Sequence, residues 1–444
     1  MTEPVPAPPS RAPGNRDIWA IAAPMILSNV SVPLLGMVDT GVTGHLDDAV
    51  YLGAVAIGST IFGFLYSGFN FLRMGTTGIT AQRFGAGDDD GLKIALGQSL
   101  IVAVGIAMLL ILLQVPIAAG AIRLLGPEAD IAGFARQYFE IRIWSAPATL
   151  ANYALIGWFL GLQNARVPLL IVLAINLTNI VLDFTFVLGL DMKVGGVALA
   201  SVIAEFTGVA VGGGIAAGWL RRHAGRLQRA HLTSLAEYRA FFAVNGHLLV
   251  RTMALLFSFT FVTAAGARLG GLILAANAVL MNMVNLMAYA LDGFAHAAEA
   301  LVGKAVGARD GAALRRSVTL ALRWSLFVAL LFCAVFALGG GAVIRVLTDL
   351  PDVVATSLTY LPWVSLLPLV GFWSYLYDGV FVGATRAREM RDIMLVSTFL
   401  VFLPAWYAFR FLGNHGLWLA LTLFLAARGI GMYYYYRTRV AHQV

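Results

Sequence analysis

Charge is scarce in this chain: Asp, Glu, Lys and Arg make up 12% of its 444 residues, against roughly 25% in ordinary soluble domains. Water cannot be its main solvent. Cysteine is scarcer still, with Cys333 alone inside an apolar run, so an internal disulfide and a cysteine-based metal cluster are both excluded. Its plain reading is a small packing residue. Strict alternation of apolar and polar residues is missing, which excludes a membrane β-barrel. No ligand cluster for a metal site or metal uptake stands out, nor does any phosphate-binding glycine loop. Met1 to Gly14 is rich in proline and polar residues but lacks an apolar core and a small-residue cleavage site, so no signal peptide is expected.

What the chain has instead is apolar length. Hydrophobic residues make up 59%, and about twelve runs reach the roughly 20 residues that a helix needs to cross a bilayer. They fall at roughly 18–40, 51–80, 94–121, 138–162, 168–190, 195–220, 241–266, 272–302, 318–343, 357–383, 393–412 and 417–436. With barrels excluded, backbone in lipid leaves only helices. The expected fold class is all-α, polytopic, with twelve transmembrane helices.

The net charge of +7 reports orientation, not nucleic-acid binding. With the N-terminus inside, the even-numbered loops and the tails hold Arg83, Lys93, Arg166, Arg221, Arg222, Lys304, Arg315, Arg316, Arg388 and others, while the opposite side holds Arg123, Arg136, Lys193, Arg268, Arg345 and Arg410. By the positive-inside rule both termini are cytoplasmic, as an even number of spans requires.

The two halves are copies. Gly157 to Arg166 (GWFLGLQNAR) returns as Gly379 to Arg388 (GVFVGATRAR), roughly 222 positions later. Gln82 to Asp88 is echoed by Gly303 to Asp310 at nearly the same offset. Six spans per copy make the repeats parallel, related by a pseudo-twofold axis along the membrane normal, with a cleft between them. The expected organisation is a disordered N-terminal tail (1–16), an N-terminal bundle (17–220), a basic cytoplasmic linker facing lipid headgroups (221–240), a C-terminal bundle (241–436) and a C-terminal tail (437–444). Pro24, Pro33, Pro147, Pro362 and Pro368 lie in or at spans, as static kinks or as hinges.

A carboxylate at the centre of a spanning helix costs about 2.5–3.5 kcal/mol on insertion scales, so buried acids carry functional weight. Asp39 lies near the outer end of the first span. Asn176, Asn179 and Asp183 share one face of the fifth, and Ser201 and Glu205 lie one turn apart in the sixth. These groups form one candidate protonatable cluster. On the eighth span Asn277, Met281, Asn285, Asp292, His296, Glu299 and Gly303 line up as a polar stripe, expected to line the cleft, and Asp378 sits beside the repeated glycine motif of the tenth. Arg73, Arg142, Arg251, Arg323 and Arg428 lie in or near spans, where they neutralise acids or snorkel.

Three segments, Pro24 to Thr40 (PMILSNVSVPLLGMVDT) with Gly44-His-Leu after it, Arg73 to Gln82 (RMGTTGITAQ) and Tyr377 to Ala387 (YDGVFVGATRA), carry a resemblance to a known family. The sequence resembles the multidrug and toxic compound extrusion (MATE) family, most closely its bacterial DinF branch, over nearly the whole chain. The resemblance implies a bacterial inner-membrane antiporter, functional as a monomer, that exports amphipathic, cationic small molecules in exchange for protons or sodium and needs no cofactor. It matches the family's span-one acid to Asp39, its span-five Asn and Asp to Asn179 and Asp183, its span-six hydroxyl to Ser201 and its span-ten acid to Asp378. Sodium-coupled relatives add an acid in the seventh span. From Arg251 to Gly266 this chain has none, so the proton is the expected coupling ion, with sodium as the alternative.

Other classes fit less well. The loop after the second span, Arg83 to Lys93, lacks the glycine- and arginine-rich signature of major facilitators. A prenyltransferase needs two aspartate-rich magnesium motifs, and Asp88-Asp89-Asp90 is the only acidic run. A lipid-linked substrate flippase remains open as an alternative. It is expected to line its cleft with basic groups, whereas the stripe on the eighth span is acidic and amide.

Overall fold

The computed structural model describes residues 12–46, 48–223 and 235–442. It consists of α1 (Asn15–Thr43), α2 (Ala49–Gly68), α3 (Phe71–Gly85), α4 (Asp89–Leu112), α5 (Gln114–Leu125), α6 (Ala129–Arg142), α7 (Ala146–Gly161), α8 (Arg166–Asp183) and α9 (Lys193–Arg222). The second half runs through α10 (Leu235–Arg268), α11 (Gly271–Gly307), α12 (Gly311–Leu347), α13 (Pro351–Gly383), α14 (Ala387–Val396), α15 (Leu403–Phe409) and α16 (Asn414–Tyr435). Among the described residues, 11 helical stretches are long and apolar enough to cross a membrane. The remaining expected span falls on α6 and α7, which a single 3-10 turn, Ile143–Ser145, separates. Pro147 explains the break: it has no N–H to return to the carbonyl of Ile143. The outside of the bundle is apolar, with Leu338, Leu112 and Ile430 exposed by 90%, 77% and 69%, as a lipid-facing surface requires.

Most of the expected linker, residues 224–234, lies outside the described residues, as do residues 1–11 of the tail and residues 443–444. Helix α10 begins at Leu235, inside the range expected to be linker.

The duplication is written into the backbone. Gln163 and Thr385 both take a positive φ, 62° and 53°, and so do Gly87 and Arg309, at 67° and 55°. The Asn164 N–H donates to the Phe159 carbonyl, and the equivalent Arg386 N–H to the Phe381 carbonyl. Asp88 caps α4 by accepting from the Gly91 N–H at 2.8 Å, and Asp310 caps α12 by accepting from the Ala313 N–H at 2.8 Å. Each such side chain satisfies a donor that the first turn of a helix leaves open.

The halves meet in a symmetric contact at one end. A Cβ on Gly85 would stand 2.0 Å from the Lys304 carbonyl oxygen, and one on Gly307 would stand 1.9 Å from that of Gln82, so only glycine admits this approach. Across the same seam the Gln82 side-chain amide donates to the Gly383 carbonyl at 2.9 Å and to Thr385 Oγ1 at 3.1 Å. Its counterpart, Lys304 Nζ, donates to Gln163 Oε1 at 3.4 Å. Further along α1, Ile26 packs against Gly293 and Asn29 donates to the Tyr289 carbonyl at 3.3 Å. Beyond that point Val32, Leu34 and Met37 are exposed by 54%, 56% and 70%.

Candidate coupling and substrate sites

Within the first half, α1, α6, α8 and α9 bring the predicted polar groups together. Asp183 is fully buried at the last α-helical position of α8, where the span continues as a π-helical turn, Phe184–Gly189. Turns of that kind recur at functional sites because they reset the helical register. The hydrogen-bonding complement fixes the Asn179 amide. Its nitrogen donates to Asp39 Oδ1 at 3.2 Å and to Asp183 Oδ2 at 3.0 Å, and its oxygen accepts from Ser201 Oγ at 3.3 Å. The carboxyls of Asp39 and Asp183 thus share one donor, the Asn179 amide nitrogen, which brings two acids to the same point of the bundle.

Arg142 completes this cluster. Its guanidinium donates to Ser201 Oγ and, at 2.8 Å, to the Tyr138 hydroxyl, and it lies 5.6 Å from the Phe62 ring centroid. Its field reaches Asp39, Asp183 and Glu205. Glu205 stands slightly apart: Asn152 Nδ2 donates to its carboxylate and to its backbone carbonyl, both at 2.9 Å. Asn176 takes a packing role, donating to Ser31 Oγ at 2.9 Å.

The second half holds a cavity of about 190 Å³. Four predicted residues line it: Asp292, His296 and Glu299 from α11 and Asp378 from α13. Arg251 of α10 and Arg428 of α16 both donate to Asp378 Oδ2, the latter at 2.8 Å. Arg73 crosses from α3 of the other half, with Nη1 3.6 Å from Glu299 Oε2 and 3.3 Å from His296 Nδ1.

The stripe on α11 therefore divides. Asn277 does not line the cavity; it exchanges side-chain hydrogen bonds with Asn414 at 2.8 and 2.9 Å and accepts from the Trp418 indole at 3.0 Å. Met281 is half-buried against the core and Asn285 is exposed, and neither lines the cavity. The reason is rotational: steps of four residues drift by about 40° each on a helix of 3.6 residues per turn, so Asn277 points toward α16. Sequence reasoning also left the arginines without partners. Arg251 shares the cavity of the eighth-span acids and bonds to Asp378 of the tenth. The available signal was depth, since an arginine inside a span needs an acid within reach. Among the described residues, no group of three His, Cys, Asp or Glu side chains is placed to hold a metal ion.

Two six-span halves in a lipid-facing bundle, with charged sites inside each half, have the plan of a polytopic membrane transporter. The chain belongs to the MatE family, the multidrug and toxic compound extrusion transporters, which it matches over residues 24–185 and 248–407, one stretch in each half. It is 45% identical to DNA damage-inducible protein F of Escherichia coli over 418 residues, covering 94% of this chain and 91% of the relative. It is 25% identical to a probable multidrug resistance protein NorM of Pseudomonas syringae pv. tomato, covering 97% and 96%. Its fold matches a crystal structure of a Vibrio cholerae MATE transporter with a TM-score of 0.86 at 20% identity, over 96% of this chain and 97% of that one. The chain is thus a multi-pass membrane transporter of small molecules.

Proposed function

We propose that this transporter exports amphipathic, cationic compounds in exchange for inward-moving protons. The observation that carries the reading is that the Asp39 and Asp183 carboxyls meet on one donor, the Asn179 amide nitrogen, inside a bundle of helices. Two acids so close ionise together only at a cost, so one of them can accept or release a proton with little rearrangement, and Asn179, Ser201 and Arg142 hold the ionised form in place. Protonation from outside removes a counter-charge, helix contacts rearrange, and the substrate leaves outward. The reverse reorientation delivers the proton to the cytoplasm. Each charge carried through the membrane field contributes roughly 2.3 kcal/mol per 100 mV.

Asp292 supports the substrate side of the reading. It lines the cavity, and among the described residues no hydrogen bond or ion pair holds its carboxylate, so it is the acid that a cationic head would meet. We place both termini in the cytoplasm of a bacterial inner membrane and take the monomer as the working unit, with lipid as its surround. In that orientation the glycine seam, with Gly85 and Gly307, faces the cytoplasm. A second reading, flipping of a lipid-linked substrate, gains from one observation: three guanidiniums, not acids alone, face the cavity.

The test is efflux of a fluorescent cationic dye from liposomes containing the purified protein, under a proton gradient alone and a sodium gradient alone. Proton-driven efflux that disappears in Asp39→Asn is the expected result. Efflux driven only by sodium overturns the choice of ion, and no efflux under either gradient transfers the weight to the lipid-linked reading.

A further inference from the structure

The cavity between α3 and the second half carries more positive charge than its acids require at one point. Arg251 and Arg428 both donate to the same oxygen of Asp378, so two guanidiniums share one carboxylate. Each guanidinium has five N–H donors; the Nε of each is buried without a partner, as is Asp378 Oδ1, so the donors left for a ligand are the terminal N–H groups where Arg251 and Arg428 line the cavity. In the same cavity Asp292 has the opposite imbalance, a carboxylate with no ion pair among the described residues. Glu299 and His296 are already engaged with Arg73 and leave this asymmetry in place.

We propose that the cavity recognises the head of a zwitterionic amphiphile, with an oxyanion, carboxylate or phosphate, bridging Arg251 and Arg428, and a cationic nitrogen against Asp292. The proposal rests on the cavity being the substrate site and refines the cationic class stated above. Guanidinium geometry suits this task, since its planar fork matches the two oxygens of an oxyanion. Size points the same way. Pockets that enclose a whole drug-sized molecule measure about 300–1,000 Å³, so about 190 Å³ admits a polar head while the apolar body lies along the cleft. A soluble zwitterionic compound and a membrane lipid with a zwitterionic head share this chemistry.

Tetramethylrhodamine and its methyl ester test the idea, because they share one cationic ring system and differ only in whether the carboxylate is free. Their affinities for the full chain in nanodiscs are read by fluorescence anisotropy. The free acid is expected to bind about tenfold tighter or more, the discrimination to fall to about one in Arg251→Gln, and part of it to return in Arg251→Lys. Arg251→Gln is the informative variant because Arg428 still holds Asp378, so no buried carboxylate is stranded. Equal affinities in the wild type, or a preference that Arg251→Gln leaves intact, overturn the proposal and leave export of cations standing. Failure to bind either dye sinks the proposal together with the assignment of the cavity as substrate site. Displacement of the bound acid by short-chain phosphatidylethanolamine supports a lipid as the source of the head group, and displacement only by soluble zwitterions supports a free compound.

Discussion

At the scale of residues, the two charged sites differ in how they are neutralised. In the first half a single guanidinium, Arg142, serves the neighbourhood of three acids, reaching them through Ser201 and through its field. In the cavity of the second half three arginines, one of them Arg73 from the first half, face three acids. Arg142 should therefore be hard to replace. Stripping one partner from a buried charge cluster costs about 3–5 kcal/mol. If even one unit of about 1.4 kcal/mol falls on the transport barrier, the rate drops about tenfold. Arg142→Gln is expected to lower proton-driven dye efflux in liposomes by at least that factor, whereas Arg142→Lys, which keeps the charge, retains most of it. Equal activity in wild type and Arg142→Gln would remove Arg142 from the coupling site. The residues legible in the sequence were the acids, because an acid inside an apolar run is conspicuous. Their partners were not legible, because Arg142 and Asp183, or Arg251 and Asp378, lie on different helices and no local pattern links them.

At the scale of elements, breaks in helices coincide with the sites. The α-helical part of the fourth span ends at Arg142 and that of the fifth at Asp183, each followed by a tighter or wider turn. The sequence marked the first break through Pro147. It gave no sign of the second, since Phe184 to Gly189 contains no proline. The glycine seam is also an element-level device. Because Gly85 and Gly307 each lie against a backbone carbonyl of the other half, a valine at either place prevents the seam from closing as it does here. Cysteines at Gln82 and Thr385, whose native side chains meet at 3.1 Å, report its closure through a short bismaleimide linker in a background with Cys333→Ser. Cross-linking of that pair is expected to fall severalfold when Gly307→Val is added. Undiminished cross-linking would show that the seam accommodates the extra methyls.

For the whole molecule, sequence and structure agree most closely on the duplication. An offset read from GWFLGLQNAR and GVFVGATRAR recurs in left-handed turns, helix caps and the contacts of the seam. The orientation of the molecule is a separate matter, set by where the basic loops lie. A protease-cleavable tag on the N-terminus is expected to be cut in inside-out vesicles and protected in right-side-out ones. The opposite pattern would put the glycine seam at the outer face.

Composition by itself determined that this chain lives in lipid, because so apolar a surface has no other stable solvent. Periodicity and run length determined helices and their approximate number, and the repeat determined two halves, since both are local or one-dimensional properties. The tertiary structure alone decided which polar groups meet. It joined Asp39 to Asp183 through Asn179, turned Asn277 away into a packing contact, and carried Arg73 across the seam to Glu299. A side chain's partner depends on the rotation and depth of helices far apart in the chain, and no single-helix pattern contains either.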